Sequence, residues 1–502
     1  MTTETNRSAP ASSPGASAAA PPAVPASSPG APAAAPPAVP HRLILPTVLA
    51  GVFITTLDFF IVNVAIPSLQ TDLRAGASAI EWVVAGFGLA YGVGLITGGR
   101  LGDLFGRRRM FLLGMGLFTI ASLLCGVAQT SEFLVFSRIL QGLAAALLAP
   151  QVLALLGTIF TGPARLKVFA GYGLAMGLAA VFGQLIGGLL IEADIAGLDW
   201  RACFLVNLPI CLLIMTLTVK LVPESKAEGK PELDVLGVGV ITLALVALVL
   251  PLIEGPEKGW PAWTWGCFAA FAVLLAVFVG VERSFAARGG SPLVNIAMFK
   301  DRAFVVGLGC QLVFWMGQAS FFLVLALYMQ AGRGLSALEA GLLFAAIGAG
   351  YMYTSMNATK FAAGLGRQVI AVGALIMAVG LTVIGITAAQ LGDGGHTAWL
   401  IPGLAIDGAG MGLAVAPLAS TVLARVNPQY AGSASGVLTT GLQIGNSIGV
   451  AVIGVIFYNA LGDHPVASTY AHAFDMGICF LVGVAAALAL LVQALPRTNA
   501  GK

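Results

Sequence analysis

Three ionisable side chains lie inside long apolar stretches of this sequence, where a charge is costly. Asp58, Arg138 and Asp407 each interrupt a run long enough to cross a bilayer. A buried carboxylate that takes up a proton in one conformation and releases it in another can couple proton movement to a conformational change, and a nearby guanidinium can tune it. We therefore expect Asp58, Arg138 and Asp407 to be proton-coupling residues. A static ion pair between Asp58 and Arg138 is the alternative interpretation.

A second set of chemically active residues lies between two apolar stretches. Residues 99–109 read G-R-L-G-D-L-F-G-R-R-R. Glycines permit a tight turn, Asp103 can accept hydrogen bonds from backbone or arginine donors, and the arginines can meet anionic lipid headgroups. A plain basic anchor would require neither the aspartate nor the glycines, so the pattern predicts a charged hinge. The hinge residues are Gly99, Asp103, Gly106, Arg107 and Arg108.

Aromatic and amide side chains cluster in the apolar run that begins near residue 303. Such a cluster fits a cavity for an amphipathic organic molecule, while packing against the core or lipid is the alternative. Gln141, three residues after Arg138, is expected on the same helix face as the arginine. The predicted substrate cavity comprises Gln141, Phe314, Trp315, Gln318, Phe321 and Phe322.

The composition defines the solvent in which these residues must be positioned. Of 502 residues, 58% are hydrophobic and only 9% are charged, and the mean hydropathy is +0.93. This is more apolar surface than a water-facing fold can bury, so a soluble enzyme is excluded and membrane lipids are partners of the chain. The net charge of +3 is small and the basic residues lie in short loops, so nucleic acid is excluded as a partner.

Fourteen apolar runs are long enough to span a membrane, at about 20 residues each. Because lipid offers the backbone no hydrogen-bond partner, each run must be a helix, and the predicted fold class is an all-α polytopic membrane protein. The runs are approximately 43–69, 80–101, 109–129, 133–160, 167–191, 202–222, 235–253, 263–281, 303–329, 337–358, 368–391, 398–424, 433–459 and 469–495.

The distribution of basic residues predicts the orientation of the chain. If the N-terminus is cytoplasmic, 20 of the 25 Lys and Arg residues lie in cytoplasmic loops and tails. Basic residues concentrate on the cytoplasmic side of membrane proteins. Since an even number of spans places both chain ends on one side, we expect a cytoplasmic-membrane protein with both termini in the cytoplasm.

Four motifs, taken in their order along the chain, together resemble one family. Residues 57–67 (L-D-F-F-I-V-N-V-A-I-P) are similar to the helix 1 motif of the fourteen-helix drug/proton antiporter branch of the major facilitator superfamily. Residues 99–109 resemble the loop signature of the superfamily as a whole. Residues 138–142 (R-x-x-Q-G) resemble the proton-linked arginine motif of that branch, and residues 200–209 (W-R-x-x-F-x-x-N-x-P) are also similar to it.

The resemblance covers about residues 43–495 and implies a fold, a mechanism and an energy source. It implies alternating access about a central cavity and export of hydrophobic or amphipathic drugs or antibiotics. The proton gradient would supply the energy without a cofactor or metal, and a monomer would suffice. The predicted domains are a disordered Pro- and Ala-rich cytoplasmic tail (1–42), an N-terminal six-helix bundle (43–222), two inserted helices with linkers (223–302) and a C-terminal six-helix bundle with a short tail (303–502).

The sequence departs from the family pattern at two places. In the fifth run the family motif reads G-x-x-x-G-P-x-x-G-G, whereas this chain has Gln184 where proline is usual. Gly183, Gly187 and Gly188 still permit close helix contact, and we expect them to act in gating. The corresponding loop of the second half, residues 363–367 (A-G-L-G-R), lacks the aspartate, so we expect it to form a weaker charged contact than residues 99–109.

Other functions are weighed against export. A proton-linked symporter or importer of another small organic solute would use the same buried charges. A membrane sensor or scaffold without transport is a further alternative, but it leaves Asp58 and Arg138 without a role. A membrane enzyme is disfavoured, because the four histidines lie in loops or near helix ends and the sequence has no phosphate-binding G-x-x-x-x-G-K-[ST] motif.

Overall fold

The computed structural model describes residues 41–160, 163–226, 234–288, 292–294, 296–391, 395–423, 431–462 and 466–495. The predicted N-terminal tail up to residue 40, and the last seven residues of the chain, lie outside this set. The described residues form helices joined by short connections and contain no strand.

Fifteen α-helices follow one another along the described residues and account for fourteen candidate membrane spans. These spans match the fourteen predicted runs, which confirms the all-α polytopic fold class. The helices are α1 (His41–Leu73), α2 (Ala77–Phe105), α3 (Arg107–Gly126), α4 (Ser131–Ile159), α5 (Pro163–Ala193), α6 (Arg201–Leu205), α7 (Asn207–Leu221), α8 (Val235–Glu257), α9 (Ala262–Ala287), α10 (Arg302–Leu327), α11 (Ala337–Leu365), α12 (Gln368–Leu391), α13 (Ile401–Leu423), α14 (Ala431–Leu461) and α15 (Ala467–Gln493).

The sixth span is divided between two helices. α6 ends at Leu205 and α7 begins at Asn207, with Val206 between them. Pro209 explains the interruption, because it has no N–H to donate to the carbonyl four residues earlier and its ring clashes with that carbonyl. As a result, Asn207 stands at the first position of α7 and is buried in the protein interior.

Spans one to six and nine to fourteen form two six-helix bundles. In the first, α1 packs on α5, and α4 packs on α2 and α3; in the second, α13 packs on α11 and α12, α10 on α14, and α12 on α15. Lipid supplies no hydrophobic force between helices, so small residues that permit close approach are important. A side chain at Gly98 or Gly102 on α2 would collide with Ala146 or Gln151 on α4. The domain boundaries given above remain predictions.

The two bundles contact each other along two seams, α2 with α14 and α5 with α11. In the α2–α14 seam, the Ser447 hydroxyl donates to the Ala85 carbonyl at 3.1 Å. In the α5–α11 seam, Gly188 near the end of α5 lies directly against Ala337 at the start of α11. The α5–α11 seam therefore closes the space between the bundles on the side where α5 ends, which is the predicted outer side.

The two inserted helices lie against both bundles. α8 and α9 pack on each other, and α8 also contacts α2 and α14. Only 11% of the most apolar stretch of α9 is buried within the protein. Such an exposed apolar surface is what a helix that faces lipid requires.

Candidate functional site

The carboxyl group of Asp58 on α1 is fully enclosed and paired with an arginine. Arg138 on α4 donates from Nη1 to Asp58 Oδ2 at 2.6 Å, and both side chains are 0% exposed. Because removing two charges from water is costly, such a pair needs further hydrogen bonds to hold it. The structure therefore brings together two of the three residues predicted to couple protons.

Three polar side chains complete the surroundings of the Asp58 carboxylate. Gln141 donates from Nε2 to Oδ1 at 2.8 Å, and Asn207 donates from Nδ2 to the same oxygen at 2.6 Å. Ser122 on α3 accepts from both amides, at 3.0 Å from Gln141 and 2.8 Å from Asn207, and donates to the Phe204 carbonyl at 3.1 Å. Asp58 thus accepts three hydrogen bonds, two from α4 and one from α7.

The Arg138 guanidinium is also held by contacts that do not involve Asp58. Its Nε donates to the Val83 carbonyl on α2 at 3.0 Å, and Nη1 donates to Gln141 Oε1 at 2.6 Å. The guanidinium carbon lies 4.3 Å from the centre of the Phe87 ring, within range of a cation–π interaction. Its Nη2 has no hydrogen-bond partner among the described residues. The positive charge therefore has support independent of the carboxylate.

The start of α4 determines how its two functional side chains project. Thr130 caps the helix, since its side chain accepts from the Phe133 N–H at 3.2 Å. Arg138 and Gln141 then follow three residues apart, and that spacing places both on one helix face. The predicted common face of these two residues is confirmed by their hydrogen bond.

Asn207 and Ser122 belong to this network but are not among the predicted site residues. Asn207 lies in the motif at residues 200–209, and an amide inside an apolar run is a signal that could have identified it. Ser122 carries no comparable signal, because a hydroxyl in a helix commonly bonds to its own backbone. Its role depends on α3 and α7 meeting in space.

Asp407 lies apart from the Asp58 network, in a small enclosed cavity of the second bundle. The cavity has a volume of about 10 Å³ and is lined by α10, α12, α13 and α15. Phe314, Gln318 and Phe321 on α10 line it together with Asp407. Asp407 Oδ2 and Gln318 Oε1 have no hydrogen-bond partner in the described part of the chain. We refer to these surroundings as the Asp407 cavity.

The structure divides the predicted substrate cavity among several places. Gln141 belongs to the Asp58 network, while Trp315 faces α14 and Phe322 faces α1 and α11. Trp315 and Phe322 each follow a residue of the Asp407 cavity by one position, which rotates them about 100° round α10. In this conformation the six residues therefore do not line one common cavity. Their roles in substrate binding remain predictions.

Phe322 belongs to an aromatic cluster where the two bundles meet. Its ring stacks on Phe344 of α11 with ring centres 5.5 Å apart, and it meets the edge of the Phe60 ring of α1 at 5.0 Å. All three rings are buried. We call Phe60, Phe322 and Phe344 the junction cluster.

Two further carboxylates are buried inside candidate spans. Glu81 on α2 is 4% exposed and Glu282 on α9 is 0% exposed. The count of three ionisable residues within spans is therefore too low. Both glutamates lie near one end of a predicted run, where a charge is easily assigned to the flanking loop.

The predicted hinge residues surround a one-residue connection, Gly106, between α2 and α3. Gly106 has φ +107°, a conformation that favours glycine. Arg107 Nη2, at the start of α3, donates to Asp103 Oδ1 in the last turn of α2 at 3.0 Å, so the ion pair joins the two helices across Gly106. A methyl group at Gly99 would make only an ordinary packing contact with Pro150 of α4.

Glu224, in the segment after α7, caps the N-terminus of α3. Its carboxylate accepts from the backbone N–H groups of Arg108 at 3.0 Å and Arg109 at 3.2 Å, which places a negative charge at the positive end of the helix. A side chain at Gly106 would lie 2.8 Å from this carboxylate, so the glycine is required for the cap. Glu224 is not predictable from local sequence, because its helix partners are 115 and 116 residues away.

The predicted gating glycines of α5 face two different helices. Gly183 and Gly187 face α1, and a methyl group at Gly183 would lie 2.9 Å from the Leu57 carbonyl oxygen. Gly188 faces Ala337 across the α5–α11 seam. The glycines thus connect the helix that carries Asp58 with the second bundle.

Gln184 occupies the position where the family pattern has proline. α5 is a continuous helix from Pro163 to Ala193, with no interruption at Gln184. The Gln184 side chain is buried, and within the described ranges neither Oε1 nor Nε2 has a hydrogen-bond partner. Its backbone carbonyl faces Gly341 of α11. Two unpaired polar atoms therefore belong to a residue of the α5–α11 seam.

Fourteen spans in two bundles, with paired charges inside them, define a multi-pass membrane protein of the transporter class. Residues 48–450 and 307–502 match the sequence profile of the Major Facilitator Superfamily, and the chain belongs to this superfamily. It is therefore a membrane transporter and not an enzyme.

Relatives and a solved structure agree with this assignment. The chain is 39% identical over 433 residues to the probable actinorhodin transporter of Streptomyces coelicolor, covering 84% of this chain and 74% of that protein. It is 35% identical over 480 residues to the puromycin resistance protein pur8 of Streptomyces alboniger, covering 91% and 92%. The crystal structure of a D-xylose-proton symporter shares the fold, with a TM-score of 0.64 and 16% identity over 92% of this chain and 99% of that one.

Proposed function

We propose that this protein exports hydrophobic or amphipathic drugs or antibiotics across the cytoplasmic membrane in exchange for protons, by alternating access. The relatives named for actinorhodin transport and puromycin resistance support the substrate class. Proton coupling rests on one observation, the carboxylate of Asp58 enclosed among membrane helices with Arg138 at 2.6 Å. In this proposal both termini are cytoplasmic, the drug and protons are the ligands, and a monomer suffices.

Asp58 can carry a proton between the two faces only if it separates from Arg138. Three hydrogen-bond donors point at the carboxylate, an arrangement that suits its ionised form in this conformation. A proton on Asp58 removes its charge attraction to Arg138. It also turns one carboxyl oxygen from an acceptor into a donor, so that a neighbouring donor loses its acceptor. Arg138 keeps its contacts with Val83 and Phe87 and holds its place. Protonation therefore favours movement of α1 away from α4 and α7.

Movement of α1 reaches the α5–α11 seam through closely packed glycines. Gly183 lies against the carbonyl of Leu57, the residue before Asp58. Gly188, on the same helix, lies against Ala337 of the second bundle. Because tightly packed interfaces do not deform continuously, a shift of α1 displaces α5 against α11. The protonation state of Asp58 is in this way linked to opening and closing of the seam.

The junction cluster and Gln184 are the proposed drug contacts. Phe60, Phe322 and Phe344 come from both bundles, so separation of the bundles exposes their rings to the space between them. Aromatic rings pack well on other planar rings. The amide of Gln184 offers one unpaired acceptor and unpaired N–H donors. Aromatic compounds that carry a carbonyl or hydroxyl group fit this combination.

Liposomes that contain the purified protein test the direction of coupling. With an acidic interior, antiport predicts that a drug from a panel including puromycin accumulates inside and that an uncoupler abolishes the accumulation. Because exchange depends only on the gradients, mixed orientation of the protein in the liposomes does not alter this outcome. Accumulation only with an acidic exterior would establish symport instead. No accumulation of any panel compound under either gradient would favour the sensor alternative.

A further inference from the structure

Two buried carboxylates face each other at one end of the inserted helix pair, far along the chain from Asp58. Asp234 immediately precedes α8, and Glu282 lies in the last turns of α9. Asp234 is 3% exposed and Glu282 is 0% exposed. Neither residue takes part in the proposed transport mechanism, and neither is explained by packing alone, because an uncompensated buried carboxylate is costly.

Each carboxyl group accepts a hydrogen bond from a backbone amide. Asp234 Oδ1 accepts from the Gly237 N–H at 2.7 Å, and Glu282 Oε2 accepts from the Val294 N–H at 3.0 Å. The remaining oxygens, Asp234 Oδ2 and Glu282 Oε1, receive no donor from any other described residue. A methyl group at Gly237 would lie 2.5 Å from the first of these oxygens and 2.6 Å from the second. The two unpartnered oxygens therefore converge on the same point.

Basic residues approach this pair without neutralising it. Arg288 lines a groove of about 630 Å³ between α8 and α9 that also includes Asp234. Arg100 of α2 donates to the Pro292 carbonyl in the connection after α9. In the described part of the chain, no ion pair joins either carboxylate to Arg100, Arg288, Arg283, Lys300 or Arg302.

We propose that Asp234 and Glu282 form a proton-binding site that is separate from Asp58 and holds one shared proton. Two carboxylates whose oxygens converge on one point in a buried site repel each other when both are ionised. One proton between them replaces that repulsion with a hydrogen bond. The shared proton supplies the hydrogen that the two convergent oxygens otherwise lack. Loss of the proton leaves two buried negative charges facing each other.

The carboxylate pair lies beside a junction between the inserted helices and the second bundle. Val294, which donates to Glu282, belongs to a hydrophobic cluster with Phe278 of α9, Phe304 of α10 and Leu438 of α14. The cluster therefore joins the inserted helices to the second bundle. Repulsion between Asp234 and Glu282 loosens this junction.

The same junction borders a seam between the bundles. Thr440, two residues after Leu438 on α14, donates to the Gly92 carbonyl of α2 at 3.1 Å. Displacement of this part of α14 therefore acts on the α2–α14 seam. The site is regulatory: it permits full activity while it is protonated and lowers activity when alkaline pH removes the proton. This effect on activity rests on the proposed transport function, whereas proton binding does not.

Amide variants test the shared proton directly, because an amide supplies a permanent hydrogen. In Asp234→Asn, Oδ1 can still accept from Gly237 while Nδ2 donates to Glu282. In Glu282→Gln, Oε1 can still accept from Val294 while Nε2 donates to Asp234. Glu192→Gln is the matched control, since Glu192 is an exposed glutamate on α5.

Thermal unfolding of the purified proteins in detergent is measured from mildly acidic to alkaline pH. A group that binds a proton more tightly in the folded state stabilises the fold at low pH, and that stability is lost as pH rises. We expect the unfolding midpoint of wild type and Glu192→Gln to fall by several degrees across this range, and that of both amide variants to fall less. Equal pH dependence in all four proteins contradicts the shared proton. Failure of both amide variants to fold also contradicts it, because they reproduce its hydrogen bond.

A transport assay distinguishes the regulatory role of the site from proton binding itself. At alkaline pH on both sides of liposomes, with drug exchange as the readout, wild type is expected to slow severalfold while both amide variants retain their rate. If unfolding shows the expected pH dependence but exchange in wild type and the variants responds equally to pH, the regulatory role is overturned and the proton site stands. If no protein exchanges drug at any pH, the transport proposal fails while the unfolding result still decides the proton site.

Discussion

Asn207 on α7 and Asp58 on α1 are 149 residues apart in the sequence and are joined by a hydrogen bond of 2.6 Å between Nδ2 and Oδ1. The same amide nitrogen lies 2.8 Å from Ser122 Oγ on α3. Three helices thus meet at one polar point. The sixth span is therefore in direct contact with the carboxyl group of Asp58.

Asn207→Ala should slow proton-driven drug accumulation about tenfold, because removing one donor from a buried carboxylate costs roughly 1–3 kcal/mol. Asn63→Ala is the matched control. Asn63 is also buried on α1, but it donates to the Phe60 carbonyl of its own helix and should matter less than twofold. Initial rates at equal membrane abundance are the measurement. Equal losses in the two variants would show that Asn207 acts only through packing.

Arg138→Ala should abolish accumulation, whereas Arg138→Lys should restore a part of it. Lysine keeps the charge but cannot reproduce the separate contacts that the guanidinium makes with Val83 and Asp58. The double variant Asp58→Asn with Arg138→Gln separates coupling from structure. If Asp58 couples proton movement to transport, the double variant should fold but show no proton-driven accumulation. Recovery of full activity would identify a purely structural ion pair.

Asp103→Asn should lower the maximal transport rate several-fold while the half-saturation concentration of drug changes little. Asp103, in the last turn of α2, pairs with Arg107 at the start of α3 at 3.0 Å and lies on the predicted cytoplasmic side, away from the junction cluster. It should therefore act on the balance between conformations rather than on drug binding. Rates over a range of drug concentrations give both constants. An unchanged maximal rate with weaker half-saturation would refute this role.

Gly188→Val should reduce transport at least tenfold, because a side chain at this position collides with the Ala337 backbone and keeps the α5–α11 seam from closing. Gly173→Val on the same helix is the control, since no atom lies within 4 Å of the position its Cβ would take. Transport rates at matched abundance decide the outcome. Comparable losses in both variants would point to a general defect in α5.

Most of the fold could be predicted from the sequence, because lipid imposes helices on long apolar runs. The fourteen predicted runs agree with the observed spans to within a few residues at most ends. The interruption at Val206 also has a local cause, the proline at position 209. The residues that depart from expectation are those whose environment depends on neighbouring helices.

Contacts within one helix of the site can be predicted from the sequence, whereas contacts between distant helices cannot. Arg138 and Gln141 are three residues apart on one helix, so their common face follows from local geometry. The partnership of Asn207 with Asp58, and that of Glu224 with the start of α3, require contacts across more than 100 residues. Sequence also does not reveal which neighbours the residues of α10 meet: Gln318 lines the Asp407 cavity, whereas Phe322 packs on Phe60 and Phe344.

Asp58→Asn in liposomes tests proton coupling most directly. An amide cannot cycle a proton between the two faces of the membrane, but it preserves the size of the side chain, and its single carbonyl oxygen can still accept hydrogen bonds from Asn207 and Gln141. Proton-driven accumulation and gradient-free drug exchange are measured on the same preparation. We expect accumulation to disappear in Asp58→Asn while exchange persists. Accumulation at the wild-type rate in this variant would contradict it.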